Sequence, residues 1–202
     1  QRSEVRELPG QGGAFAAPFP TGAAGRLHTM NSPSVFNAAF NFRQLWSGGG
    51  ESVEAVVDQV VRSPQVFASS WDEVLRKLAA DKPLADAFRA EYPDGLSARS
   101  VANALGEYTR SLVTPDARFD KYLRGDKDAI TAGELRGYEL FKSYGCVACH
   151  QGVNVGGNMF QKFGVMGDYF AGRQPTQADM GRFAVTGDPA DKHVFKVPSL
   201  RN

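Results

Sequence analysis

The chain has 202 residues, which is enough for one large domain or two small ones. Hydrophobic residues make up 42% of it, a share that supports a packed core, and the sequence contains no apolar stretch long enough to span a membrane. Its 23 basic and 22 acidic residues leave a formal net charge of +1, so the composition gives no reason to expect nucleic acid or an anionic membrane surface as a partner.

The first 34 residues are dense in glycine and proline, and neither a helical nor a strand period survives that density of breakers. We therefore expect an extended loop at the start of the chain. Its one histidine, His28, could be an axial ligand, a distal acid–base group or an ordinary loop residue. A lone histidine is most often the last of these.

An aromatic segment, VFNAAFNFRQLW, follows from residue 35 to Trp46, and large side chains of this kind are more often core than cofactor contacts. After a run of three glycines, apolar residues recur at three- and four-residue steps, which predicts helices. Candidate N-capping residues, and residues that favour the first turn, indicate where these helices begin. We predict five helices before residue 125, which begin near Val53, at Trp71, at Pro83, at Ser97 and near Phe119.

The best linker candidate runs from Gly125 to Asp128. It divides the chain into an N-terminal helical domain, residues 1–125, and a C-terminal domain, residues 126–202. After the linker, Thr131 is followed three residues later by Glu134, the signature of a capping box that opens a helix. Beyond His150 the chain is rich in glycine and shows no alternating strand pattern. We predict an all-α protein with long Gly/Pro-rich loops.

Both cysteines of the chain, Cys146 and Cys149, lie within one four-residue stretch, and His150 follows the second. C-x-x-C-H is the attachment signature of a c-type haem. Two thiols on one turn can form thioether links to the two vinyl groups of the porphyrin, and the histidine can then supply a nitrogen to the iron. Covalent attachment implies assembly outside the cytoplasm, so we predict a periplasmic protein. No signal peptide is visible at Gln1, and we expect a leader that was removed or that lies outside this sequence.

Four other interpretations of this turn are open. A redox C-x-x-C pair would need a preceding strand, whereas residues 135–144 have a helical pattern. A structural zinc site would need a second pair of ligands, and only His28 and His193 remain, far away in the sequence. A disulfide between the two cysteines would close a very small loop. A helical domain without haem, in which the motif is coincidental, is the simplest alternative.

Several segments resemble bacterial di-haem cytochrome c peroxidases and their MauG-like relatives, in the order in which they occur there. Residues 31–46, NSPSVFNAAFNFRQLW, resemble the family segment N-x-P-T-V-F-N-x-x-F-N-x-x-Q-F-W. The likeness covers roughly residues 28–202 and includes residues 112–123, 137–157, 181–186 and 197–202. It implies two cytochrome-c-like helical domains with one haem each, the C-terminal haem receiving electrons and the N-terminal haem reducing hydrogen peroxide to water.

The resemblance also implies roles for individual residues. Cys146, Cys149 and His150 would hold the electron-entry haem. Trp46 matches the tryptophan that lies between the two haems, and Asn31 matches an asparagine that helps to bind a calcium ion at the domain interface.

The chain departs from the family pattern in its N-terminal part. No second C-x-x-C-H is visible, and the family spacing would place one near Ser3, where neither thiol nor histidine occurs. The distal histidine would fall near Ala23, and a short gap would bring His28 into that role. The acidic residue that helps to cleave the peroxide bond would fall near Phe67, with no carboxylate close to it in sequence before Asp72.

We therefore predict a haem-c redox protein of this family. It would pass electrons from a small periplasmic donor, a cytochrome c or a cupredoxin, through the C-terminal haem towards the reduction of hydrogen peroxide. The alternative is an electron-transfer or scaffold subunit that has lost peroxidase activity, and the missing motif and acid favour it. A homodimer or a larger redox complex is compatible with both.

Overall fold

A computed structural model describes residues 20–201, so the segment around Ser3 lies outside the described residues. Over this range the chain forms seven α-helices and one two-stranded sheet. The helices are α1 Val53–Arg62, α2 Trp71–Ala79, α3 Lys82–Glu91, α4 Ala98–Ser111, α5 Arg118–Leu123, α6 Ala132–Ser143 and α7 Phe183–Thr186, and the strands are β1 Phe160–Lys162 and β2 Val194–Lys196. The predominantly helical character expected from the sequence is confirmed.

The small sheet corrects the expectation of an all-α protein. Strands β1 and β2 pair antiparallel, with Phe160 opposite Lys196 and Lys162 opposite Val194. Each strand has only three residues, too few to show an alternating pattern, and the two are far apart in sequence. The sheet is a product of tertiary pairing, which local periodicity does not reveal.

Helix starts follow the capping residues that the sequence contains. Ser70 accepts a hydrogen bond from the backbone N–H of Glu73 at 3.2 Å and so begins α2 at the predicted residue. Helix α3 starts one residue earlier than predicted, at Lys82, because the side chain of Asp81 caps it. Proline is tolerated in this first turn because its missing N–H would have had no helical partner.

The main apolar core lies where α1, α2 and α4 pack together. Its buried residues are Val61, Trp71, Val101 and Ala102. The indole N–H of Trp71 donates to Asp58 Oδ1 at 2.7 Å, which gives this buried ring a partner for its polar atom. The helical spacing of Val101, Leu105, Tyr108 and Leu112 in the sequence predicts one apolar face on α4. This face is only partly buried, since Leu105 and Tyr108 are 46% and 65% exposed.

Hydrogen bonds join residues on the two sides of the predicted linker. The backbone N–H of Lys196 donates to Trp46 O at 2.9 Å, and that of Phe42 donates to Gly157 O at 2.8 Å. The predicted division at residue 125 stays a prediction.

Helix α4 is the longest helix, with 14 residues, and none of the helices within residues 20–201 has the length and apolarity needed to cross a bilayer.

Candidate functional site

Helix α6 leads directly into the cysteine turn. Its N-terminus is fixed by the predicted capping box, in which Thr131 accepts from Glu134 N at 3.2 Å and Glu134 accepts from Thr131 N at 2.7 Å. Its C-terminus is followed by Gly145 with φ of 80°, a left-handed conformation that favours glycine and turns the chain out of the helix. A short 3₁₀ helix, Cys146–Ala148, comes next.

This turn brings the three predicted ligand residues together. The backbone N–H groups of Cys149 and His150 both donate to Cys146 O, at 3.3 and 3.0 Å. Cys146 is exposed, Cys149 is half-buried, and both are free thiols. The amide of Gln161 lies 3.6 Å from Cys149 Sγ. Two unpaired thiols on one turn are available for thioether formation, and the structure contains no disulfide between them.

The imidazole of His150 is held by a backbone carbonyl. Its Nδ1 lies 3.0 Å from Val155 O. Because a carbonyl oxygen only accepts, Nδ1 carries a proton, and in the neutral ring the lone pair is then on Nε2. Metal-binding histidines have this arrangement, with one ring N–H held by a carbonyl and the other nitrogen directed to the metal.

Aromatic and apolar side chains surround the turn. The ring of Phe141 lies 6.1 Å from that of His150, and exposed apolar side chains flank the turn: Leu140, Tyr144, Val147 and Val153. Within residues 20–201 no group of three His, Cys, Asp or Glu side chains is arranged to hold a metal ion. The preceding element is a helix, unlike the strand that a thioredoxin-like pair would follow.

Two consecutive glycines shape the loop after the turn. Gly156 has φ of 135°, and a Cβ there would lie 2.1 Å from Pro198 O and 3.3 Å from His150 Nδ1. Gly157 has φ of 71°, and its Cβ would lie 2.0 Å from Asn41 Oδ1. Close backbone approach at these two positions requires glycine and brings the loop against both parts of the chain.

Trp46 and Asn31 are in direct contact. The indole N–H of Trp46 donates to the backbone carbonyl of Asn31 at 2.7 Å. Both residues line a cavity of about 350 Å³, whose wall also includes Phe195, Lys196 and Pro198. Lys196 is 4% exposed, and burial lowers the pKa of its ammonium group. The calcium role of Asn31 and the electron-path role of Trp46 stay predictions.

His28 contacts a loop of the N-terminal part. Its Nε2 is 3.0 Å from Gln65 O, so the ring packs on the loop between α1 and α2. That loop contains Phe67, which is 59% exposed and occupies the position expected for the family's acidic residue. The distal role of His28 stays a prediction.

Sequence reasoning missed the buried asparagines that surround the site. Asn37 and Asn154 are each 1% exposed, and Asn154 Nδ2 donates to Asn37 O at 2.9 Å. Asn37 belongs to the family segment in residues 31–46, but the resemblance assigned it no role, and Asn154 lies in a glycine-rich loop, where asparagine is usual for a turn. The carbonyl of Val155 was also missed, because a backbone acceptor has no sequence signature.

Comparison with known proteins extends these observations. Residues 8–128 match the family model described as di-haem cytochrome c peroxidase. The cytochrome c peroxidase Ccp of Escherichia coli K12 is 40% identical over 192 residues, which cover 95% of this chain and 41% of that protein. The cytochrome c551 peroxidase of Nitrosomonas europaea is 38% identical over 175 residues, 86% of this chain and 51% of that protein.

Among solved structures, the crystal structure of a MauG-like protein associated with microbial copper homeostasis has a similar fold. It matches with a TM-score of 0.78 at 23% identity, over 92% of this chain and 59% of that chain. This chain therefore spans about half the length of the proteins it matches, as the shares of 41% and 51% above indicate.

Proposed function

This chain belongs to the di-haem cytochrome c peroxidase family, and on that premise we propose that it carries the electron-entry haem of a periplasmic peroxidase. The family membership confirms the resemblance found in the sequence. In the proposal, a small donor protein, a cytochrome c or a cupredoxin, delivers electrons to a haem held by Cys146, Cys149 and His150. The electrons then move towards the reduction of hydrogen peroxide.

One observation carries the proposal. The bond between His150 Nδ1 and Val155 O leaves Nε2 as the free ring nitrogen, on the same turn as two free thiols. This donor set has the chemistry that covalent haem attachment requires, and a structural disulfide would not need a histidine held in one tautomer beside the two thiols.

The residues of this chain have separate tasks in the proposal. A bound haem would supply a one-electron redox centre. The thiols would fix its position, and His150 would present a neutral nitrogen to it. Two hydrogen bonds fix Trp46 between the two parts of the chain, and this placement supports an electron path. Its indole N–H donates to Asn31 O, and its backbone carbonyl accepts from the backbone N–H of Lys196 in β2.

The alternative, a subunit without peroxidase activity, has support from the N-terminal part. A group that moves protons between peroxide oxygens needs a pKa near the working pH. Near Phe67, hydrogen bonds from Trp71 and Arg62 lower the pKa of Asp58. The hydrogen bond from Lys77, with that from Ser69, lowers the pKa of Glu73. A lowered pKa moves each carboxyl group further from neutral pH, which supports this alternative.

Peroxide turnover distinguishes the two functions. The protein would be produced in a host competent in cytochrome c maturation, reduced, and mixed with hydrogen peroxide. We expect a Soret band and peroxide consumption faster than that by free haem. A Soret band with consumption no faster than by free haem would leave the electron-transfer subunit as the function, and a protein without haem would remove both.

A further inference from the structure

A buried asparagine connects the two parts of the chain beside the candidate haem ligand. Asn154 is 1% exposed and lies in the loop that follows His150. Its Nδ2 donates two hydrogen bonds, to Asn37 O at 2.9 Å and to Asn41 Oδ1 at 3.0 Å. Both acceptors belong to the turn that precedes Trp46, more than 100 residues earlier in the chain.

The turn that receives Asn154 is itself rigidly held. Asn37 has φ of 57°, and its side chain donates to Thr114 Oγ1 at 2.8 Å and accepts from Thr114 N at 3.0 Å. A second link runs in parallel, since Phe42 N donates to Gly157 O at 2.8 Å. The loop after the haem motif therefore docks on a fixed surface of the N-terminal part.

On its other side Asn154 directly precedes the residue that holds the imidazole. Val155 accepts the hydrogen bond from His150 Nδ1 through its carbonyl. Val155 has φ of 50°, a left-handed conformation that is strained for a β-branched residue and persists only when its surroundings enforce it. The bonds of Asn154 supply that enforcement, together with Ser199 Oγ, which donates to Asn154 O at 3.0 Å.

Packing alone does not account for an asparagine at this position. Its Oδ1 has no hydrogen-bond partner among the described residues, although it is fully buried. An unsatisfied buried oxygen costs free energy that an apolar side chain of the same size would not lose. The two bonds of its Nδ2 must therefore be what the position requires.

We propose that Asn154 is the positioning residue of the haem ligand: by anchoring the loop to Asn37 and Asn41 it sets the Val155 carbonyl against His150 Nδ1. This inference rests on the proposed attachment of haem to the cysteine turn. A hydrogen bond to the second ring nitrogen makes a histidine a stronger donor to iron and stabilises the ferric state. The N-terminal part thereby controls the redox potential of a haem carried by the C-terminal part.

The test compares neutral substitutions on the haem-loaded protein. Asn154→Ala removes both anchoring hydrogen bonds. Asn41→Ala removes one of the two acceptors, the one on the N-terminal side chain. Asn158→Ala is the matched control, because Asn158 is exposed in the same loop. Haem content is measured from the Soret band, midpoint potential by potentiometric titration, and ligand geometry from the ferric EPR spectrum.

We expect normal haem content in all three variants, with the midpoint potential raised and the EPR signal broadened in Asn154→Ala. Asn41→Ala should shift both in the same direction by less, and Asn158→Ala should match the parent. If the Asn154→Ala protein does not accumulate, the midpoint potential and EPR spectrum of Asn41→Ala decide the test. A potential and spectrum unchanged from the parent, with the Soret band present, would overturn the inference alone. Absence of the band in the parent protein would overturn the proposed function as well.

Discussion

Asp120 and Arg201 form a two-pronged ion pair that joins helix α5 to the last described residue of the chain. The guanidinium Nη1 donates to Asp120 Oδ1 at 2.8 Å, and Nη2 donates to Oδ2. Nη2 also donates to Thr114 O at 2.6 Å, and the two charged side chains are only 17% and 16% exposed. This planar, largely buried pairing is the strong form of a salt bridge. Thr114, which accepts from Arg201, also holds the side chain of Asn37.

Asp120→Asn should destabilise the protein by about 2 kcal/mol at neutral pH, because it removes a charged hydrogen-bond partner from a part-buried arginine. The free energy of unfolding, from denaturant titration, measures this. Asp116→Asn is the control. It breaks the exposed pair with Arg124 and should change stability little. Equal effects of the two substitutions would contradict the assigned importance of the Arg201 pair.

The same pair gives a signed pH dependence. The hydrogen bond from Arg201 is the main cause that lowers the pKa of Asp120 in the folded protein. The stabilisation by this pair is therefore complete above the pKa of an unfolded aspartate, about 3.9. It is lost as the pH falls through the lower pKa that Asp120 has in the folded protein. The stability difference between the parent and Asp120→Asn should be constant from pH 7 to about 5 and shrink in more acidic solution. A difference that grows below pH 4 would have the wrong sign.

Gly156→Ala should abolish correct folding of the loop behind the haem ligand. The new Cβ would meet Pro198 O at 2.1 Å, and φ of 135° is inaccessible to alanine without strain. Gly152→Ala is the matched control: φ there is 75° but nothing lies within 4 Å, so only the backbone cost of about 1 kcal/mol applies. The thermal unfolding midpoint and the haem content are measured for both variants. A Gly156 variant as stable as the Gly152 variant would refute the close packing of Gly156 against Pro198.

Replacing His150 by alanine should remove the nitrogen ligand while both thiols remain available for attachment. We expect porphyrin to stay bound to the polypeptide with a strongly altered absorbance spectrum. His193→Ala is the control, because His193 Nδ1 donates to Asp179 O at 2.7 Å and lies outside the cysteine turn. An unchanged spectrum in the His150 variant would refute the ligand assignment.

Trp46→Ala should slow electron transfer between the two haems in a protein that carries both, and leave haem content intact. Trp46→Phe separates the two contributions of the side chain, because it keeps an aromatic ring and loses the bond to Asn31 O. Stopped-flow absorbance of each haem after mixing with a reduced donor gives the rates. Transfer as fast in the alanine variant as in the parent would reject Trp46 as part of the path.

Features set by neighbouring residues were predictable from the sequence. The cap at Ser70, the capping box at Thr131 and the cysteine turn all depend on groups within four residues of one another, and each was found where predicted. The family was also recognisable, because its segments occur in a fixed order.

Features set by distant pairings were not predictable. The β1–β2 sheet joins two three-residue strands, and Tyr108 is exposed on a face that periodicity marked as apolar. The contacts of Asn154 depend on a turn more than 100 residues away. In each case the tertiary fold determines which residues come into contact, and the local sequence does not contain that information.

The central claim is tested most directly by the mass of the peptide that contains Cys146 and Cys149. The protein would be produced in a host competent in cytochrome c maturation, digested, and analysed by mass spectrometry with absorbance detection. The account predicts one porphyrin joined to that peptide through both sulfurs, with the Soret absorbance eluting with it. A colourless peptide with two unmodified thiols would contradict it.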